Sequence, residues 1–294
     1  MRKRRSLRFG IAFVLALMAQ WVATATAAGT EITSQTGWLK VPIHGRQFRL
    51  ALHVFRPFGA GPFPLVVINH GIPVSIADAR HEKLGFTAAS AWFAGQGYIV
   101  VVALRPGFGE SDGPYLESSS GPCSNRDYVR EGRETAVVES AIIQTAAQLP
   151  GVDPKRIIVV GQSAGGFGAI ALGDAPPPGV LGIISFAGGR GGDDREHVCS
   201  GAQHLAQAAG AFGQANQVPQ LWLYATNDHF FPPKVARLMF AAYQAGSKPA
   251  VRFIELPPFD GDGHKTLGHA DPSVWANAVS SFLTEVRDST PEEH

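Results

Sequence analysis

The pentapeptide Gly161-Gln162-Ser163-Ala164-Gly165 sets a serine between two glycines. It directly follows the β-branched run 156–160 and directly precedes the small-residue stretch 166–172. In a chain with 34 glycines, a G-x-S-x-G pattern alone is weak. Its place between an expected strand and an expected helix makes it informative. A sharp strand-to-helix turn holds the serine in a strained conformation with its hydroxyl raised above the sheet. Glycine is needed on both flanks because a β-carbon there would strike neighbouring backbone. The following helix aims its N-terminal dipole at the site, which favours negative charge on a reacting oxygen. Ser163 is therefore the candidate nucleophile.

A hydroxyl is a poor nucleophile near neutrality, so a base is required, and a group that orients the base. Where this turn occurs the chain order is serine, acid, histidine. After the apolar run 220–224 comes Asp228, a carboxylate just past a strand's C-terminal end, on the sheet edge where α/β folds bind ligands. After the run 251–256 comes Asp260-Gly261-Asp262-Gly263-His264. His264 is the expected base and Asp228 the expected acid. His269 competes as base and Asp262 as acid, although Asp262 lies close to His264 along the chain. His229, next to Asp228, is read as structural or pocket-lining. Asp260 and Asp262 lack the further oxygen ligands of a calcium loop, and His197 and His204 show no metal-ligand spacing.

Acyl transfer also needs donors for a tetrahedral oxyanion. The N–H of Ala164, the residue after the nucleophile, is one. The other is expected from Asn69-His70-Gly71-Ile72-Pro73, which follows the apolar run 65–68. Pro73 has no N–H, so Ile72 is the first candidate and Gly71 the second.

These residues need a frame. Apolar runs at 65–68, 98–103, 156–160, 180–186, 220–224 and 251–256 alternate with stretches of helical spacing, clearest at 127–149 and 271–286. Strands that alternate with helices predict a mostly parallel central sheet with helices on both faces. Continuous apolar runs fit strands buried on both sides. An earlier pair, 38–42 and 48–55, separated by His44-Gly45-Arg46, predicts an antiparallel hairpin at the sheet's edge. No repeat, low-complexity segment or linker divides the chain.

The N-terminus carries Arg2, Lys3, Arg4, Arg5 and Arg8, an apolar run 11–22, and small residues from Ala23 to Ala28. A basic region, a short apolar region and a small-residue cleavage zone make residues 1–28 an expected signal peptide. The run is shorter than the roughly 20 residues of a membrane span. The Arg4–Arg5 pair leaves twin-arginine and general export both open. Residues 29–294 then form one expected catalytic domain. Without the leader's five basic residues, the net charge of +1 becomes about −4. That balance argues against nucleic acid or an anionic membrane as partner. In an oxidising periplasmic or extracellular compartment, the two cysteines, Cys123 and Cys199, are expected to pair; separate thiols are the alternative.

The chain resembles the α/β-hydrolases, and within them the dienelactone-hydrolase and prolyl-oligopeptidase-like branch. The likeness rests on His70-Gly71, Arg105-Pro106-Gly107-Phe108-Gly109-Glu110-Ser111, residues 161–166, Asp228 with Phe231-Pro232, and Gly263-His264. It departs from dienelactone hydrolases proper, which use a cysteine nucleophile, and from the peptidases, which carry a propeller. With the leader's export signal, the resemblance implies a serine hydrolase that cleaves small-molecule carboxylic esters through an acyl-enzyme, without metal or organic cofactor. Between 186 and 220 there is room for one helix and a loop but no large lid, so an open site is expected. An exported serine aminopeptidase and a non-catalytic binding protein on the same fold are the other readings.

Overall fold

The computed structural model describes residues 31–117 and 121–289; the expected signal peptide lies outside them. The strands are Ile32–Ile43 (β1), Arg46–Pro57 (β2), Phe63–Asn69 (β3), Ile99–Ala103 (β4), Val152–Gln162 (β5), Val180–Phe186 (β6), Gln220–Ala225 (β7) and Val251–Leu256 (β8). The helices are Thr87–Gly95 (α1), Tyr128–Ala146 (α2), Ala164–Leu172 (α3), Ala202–Ala215 (α4), Pro233–Gly246 (α5), Thr266–His269 (α6) and Ala276–Asp288 (α7).

All eight strands form one sheet in the order β1-β2-β4-β3-β5-β6-β7-β8. The β1–β2 and β2–β4 pairs are antiparallel and the remaining pairs parallel, as the apolar runs and the edge hairpin predict. The hairpin turns on His44 and Gly45, whose φ values of 48° and 73° give the two positive-φ positions of a tight two-residue turn. In β1, Leu39, Val41 and Ile43 are buried and their neighbours exposed, the alternation of a one-sided edge strand. Every residue of β4 and β7 is buried, as befits strands covered on both faces.

Side-chain alternation divides the interior into two cores. Leu65 and Val67 of β3 join the core formed with α2, α3, α4 and α5, built around Ile142, Phe167, Phe212 and Met239. Val66 and Ile68 point the other way and join α1 and α7 through Phe93, Val279 and Phe282. A helix spans most of 127–149: Asp127 caps α2 by accepting from the Arg130 N–H at 3.0 Å, relieving an orphan donor of the first turn. The second helical stretch is corrected. Residues 272–274 form a 3₁₀ turn capped by the Asp271 carboxylate, and α7 starts only at Ala276. Strand β5 also begins earlier than the run 156–160, with an irregularity between Ile157 and Ile158. No helix among the described residues is long and apolar enough to cross a membrane.

The parallel strands all end at one edge. Through Ser163, Asp228, the His264 segment, Asn69-His70-Gly71 and Arg105, the ends of β5, β7, β8, β3 and β4 bring the functional candidates together there.

Candidate active site

Ser163 joins β5 to α3 with φ 56° and ψ −123°, a conformation that non-glycine residues avoid. Phe186 holds the turn on one side, its carbonyl accepting from the Ser163 N–H at 3.0 Å. The flanking glycines are required by contact: a β-carbon on Gly161 would strike the Gly165 carbonyl, and one on Gly165 would strike the carbonyls of His70 and Asn69. The strain is thus fixed by close backbone approach on both sides, and the half-exposed hydroxyl faces the cleft.

His264 Nε2 lies 3.0 Å from Ser163 Oγ, and its Nδ1 lies 3.2 Å from both carboxylate oxygens of Asp228. An ionised carboxylate only accepts, so Nδ1 carries the proton and Nε2 is free to take one from the serine. Asp228 is almost fully buried, and its Oδ1 accepts from the N–H groups of Phe230 and Phe231 at 2.9 Å each. Those backbone donors hold the carboxylate in place.

His264 is equally constrained. Its N–H donates to Asp262 Oδ1 at 3.0 Å, its carbonyl accepts from Gln162 Nε2 at 2.9 Å, and Phe230 stacks on its ring. Asn227 pins the preceding loop, donating to the carbonyls of Phe259 and Asp260 and accepting from the Phe259 N–H.

The competitors occupy other places. Asp262 caps the short turn that carries His264 and also accepts from the His229 N–H at 3.2 Å, so it shapes the loop. His269 is exposed at the end of α6, on the cleft wall. Asp260 is exposed, with its carbonyl held by Asn227. Among the described residues, one cluster has three or more potential metal donors: Cys123, His197 and Cys199. Its sulfurs are joined to each other at 2.09 Å, and a disulfide sulfur lacks the thiolate charge that binds metals.

Ser163 and His264 open onto a cleft of about 830 Å³ whose walls include Ile72, Val74, Phe86 and Phe230, with Glu82 and Lys83 among its charged groups. Ala164 is the first residue of α3, so its N–H has no partner within the helix. Ile72 is on the cleft wall, and Gly71 packs against the nucleophile: a β-carbon there would lie 3.0 Å from Ser163 Cβ.

No protein-family model matches the chain, and no curated protein matches it by sequence. Solved structures do. An esterase from Pyrococcus furiosus aligns over 87% of this chain and 92% of its own, with TM-score 0.61 and 14% identity. Est1E from Butyrivibrio proteoclasticus, solved with ferulic acid bound, aligns over 86% of this chain and all of its own, with TM-score 0.60 and 16% identity. Dipeptidyl peptidase 4 from Porphyromonas gingivalis aligns over 87% of this chain but 35% of its own, with TM-score 0.58 and 16% identity. The chain has the α/β-hydrolase fold.

Sequence reasoning missed two features of this site. Phe230 follows Asp228 by two residues, and its ring stacks on the imidazole of His264. Arg105 belonged to a quoted motif without a role. It is fully buried two residues beyond the end of β4, and its guanidinium reaches the carbonyls of His70 and Gly71. The available signal was position: a charged residue just after an apolar strand that ends at the catalytic edge.

Proposed function

We propose that this protein is an exported serine hydrolase that cleaves carboxylic esters by a Ser163–His264–Asp228 triad. The observation that carries the reading is the unbroken chain of contacts from a strained serine through one imidazole to a buried carboxylate, open to a cleft. His264 Nε2 takes the Ser163 proton as Oγ attacks the ester carbonyl. Asp228 keeps the imidazole oriented and stabilises its charged form. The N–H groups of Ala164 and Ile72 receive the oxyanion, where charge develops. His264 then returns the proton to the leaving alcohol. Water, deprotonated by the same nitrogen, releases the acid and restores the serine.

Export is supported by the leader-like pattern of residues 1–28 and by the Cys123–Cys199 disulfide, which suits an oxidising compartment. The neighbour described as an esterase agrees with the reading at the level of fold. An aminopeptidase reading draws on one observation: Glu82 and Asp194, two carboxylates that could receive an amine, both line the cleft. Lys83 and Lys265 line it too, and their charge offsets that preference. A non-catalytic binding role would leave the strained backbone of Ser163 without a use.

The test is steady-state hydrolysis of p-nitrophenyl esters of increasing chain length beside aminoacyl anilides. Short and medium esters should turn over and anilides should not. Preference for the anilides would replace this reading with the peptidase one.

A further inference from the structure

We infer that Arg105 and His70 are positioning residues for the oxyanion pocket, holding the Gly71–Ile72 peptide so that its N–H faces the reacting oxygen. The inference rests on the serine-hydrolase reading and adds to it the device that orients one of its donors.

Three bonds converge on this peptide and the one before it. Arg105 Nη1 donates to the His70 carbonyl at 2.5 Å, and Nη2 donates to the Gly71 carbonyl at 3.3 Å. His70 Nδ1 lies 2.7 Å from the same Gly71 carbonyl. In a planar trans peptide the C=O and N–H point in opposite directions. With the Gly71 oxygen drawn toward Arg105 and His70, the Ile72 N–H is turned away from them. Gly71 itself packs against Ser163: a β-carbon there would sit 3.4 Å from Oγ. One side of this loop is therefore fastened to the guanidinium and the other adjoins the nucleophile.

The state of His70 follows from its two partners. Nδ1 faces a carbonyl and must donate. Nε2 accepts from the Arg105 backbone N–H at 3.0 Å. Only the neutral ring, protonated at Nδ1, satisfies both. Burial, with the Arg105 charge beside it, lowers the His70 pKa to about 3, so the ring keeps this form across the neutral range.

Arg105 is fixed in its turn. Its Nε donates to Glu117 Oε1 at 2.5 Å. The other Glu117 oxygen accepts from Thr135 Oγ1 of α2 at 3.0 Å and from Arg190 Nη1 at 3.5 Å. Arg190, on the loop after β6, also donates to Tyr115 Oη at 2.7 Å and lies 3.5 Å from Glu131 of α2. Burying such a network adds little stability over an apolar core of equal volume. What it does confer is direction: a planar fork set at a fixed angle on two successive carbonyls.

Arg105→Lys keeps the buried positive charge beside Glu117 but loses the fork. Because one oxyanion donor contributes about 10²–10³ in kcat, a misaligned donor should lower kcat about 10- to 100-fold with KM within about threefold of wild type. Affinity for a trifluoromethyl ketone, whose serine adduct carries the oxyanion, should fall by the same factor as kcat/KM. A variant with wild-type kcat, or one whose loss lies wholly in KM, overturns the inference. Should Arg105→Lys fail to fold, His70 gives the second reading. His70→Leu should lose turnover, and His70→Asn, which keeps an N–H at the δ position, should recover at least part of it. Equal turnover in wild type and both variants also overturns the inference. Failure of the underlying reading looks different: wild type and Ser163→Ala would then share one negligible rate.

Discussion

The ring of Phe230 lies almost parallel to the imidazole of His264, with centroids 4.2 Å apart and planes 18° from coplanar. Phe230 also donates its backbone N–H to Asp228, so one residue touches the imidazole through its ring and the carboxylate through its amide. In the proposed mechanism the ring fixes the imidazole plane and favours the cation that would form when the proton leaves Ser163. Phe230→Ala removes the stack and leaves the amide bond. Turnover of a p-nitrophenyl ester should fall about 10-fold, the scale of a 1.4 kcal/mol change in barrier. Unchanged kcat would show that the Asp228 contact alone sets the ring.

Asp228→Asn should be more severe. The substituted amide can still accept from Phe230 and Phe231 N–H, so the loop should fold. It cannot accept equally through both atoms from His264 Nδ1 and biases the imidazole toward the wrong tautomer. The comparable change in well-studied triads lowers kcat by about 10⁴. Kinetics near neutral pH with a matched thermal melt would check this. Near-native turnover would shift the acid's role to Asp262.

A different carboxyl sets a pH dependence of stability. Glu139 of α2 is fully buried, and neither of its oxygens has a hydrogen-bond partner among the described residues. Burial raises its pKa well above the usual carboxylate range. Between the ordinary carboxylate value and that raised value the folded protein holds a proton that the unfolded chain has lost. Stability must therefore fall as pH rises through this window, by about 1.4 kcal/mol per pH unit for one proton. Glu139→Gln removes this dependence. In urea melts the variant should gain on wild type between pH 5 and pH 8. A constant difference would mean that the carboxyl is already ionised in the fold.

The Cys123–Cys199 bridge closes a separation of 76 residues and ties the segment before α2 to the loop before α4. Ser200 reinforces it, its N–H and hydroxyl donating to the Cys123 carbonyl at 2.7 and 3.0 Å. Chain entropy for a loop of this size sets a ceiling of about 4 kcal/mol on the stabilisation. Cys123→Ser with Cys199→Ser should lower the melting temperature by several degrees and leave kcat at 25 °C within about twofold. A collapse of turnover with little thermal effect would place the bridge in the catalytic machinery.

Much of this molecule could be read from residue order because its strands are apolar and its candidate catalytic groups sit at strand ends. β6 and β8 coincide with their apolar runs, since both are parallel strands flanked by proline and glycine breaks. β5 begins earlier than its run because Asp153, Pro154 and Lys155 ahead of the run are polar or strand-breaking residues on a partly exposed segment. The start of α7 was misjudged because Asp271-Pro272 imposes a separate capped turn ahead of a helix with the same apolar period. Ser163, Asp228 and His264 were legible as a set, each following a strand. The Arg105–Glu117–Arg190 network was not. Arg105 and Glu117 share the connection between β4 and α2 while Arg190 comes from the one after β6, and charge in a sequence is ordinarily a sign of surface, whereas here it is buried.

The central claim is that the Ser163 hydroxyl is made nucleophilic by its two partners. The most direct measurement is the intact mass of the protein after brief treatment with a fluorophosphonate, with the adduct located by peptide mapping. Wild type should gain one phosphonyl group, on Ser163, and both Ser163→Ala and His264→Ala should remain unmodified over the same interval. An adduct on another serine, or equal labelling of the Ser163→Ala variant, would contradict the account.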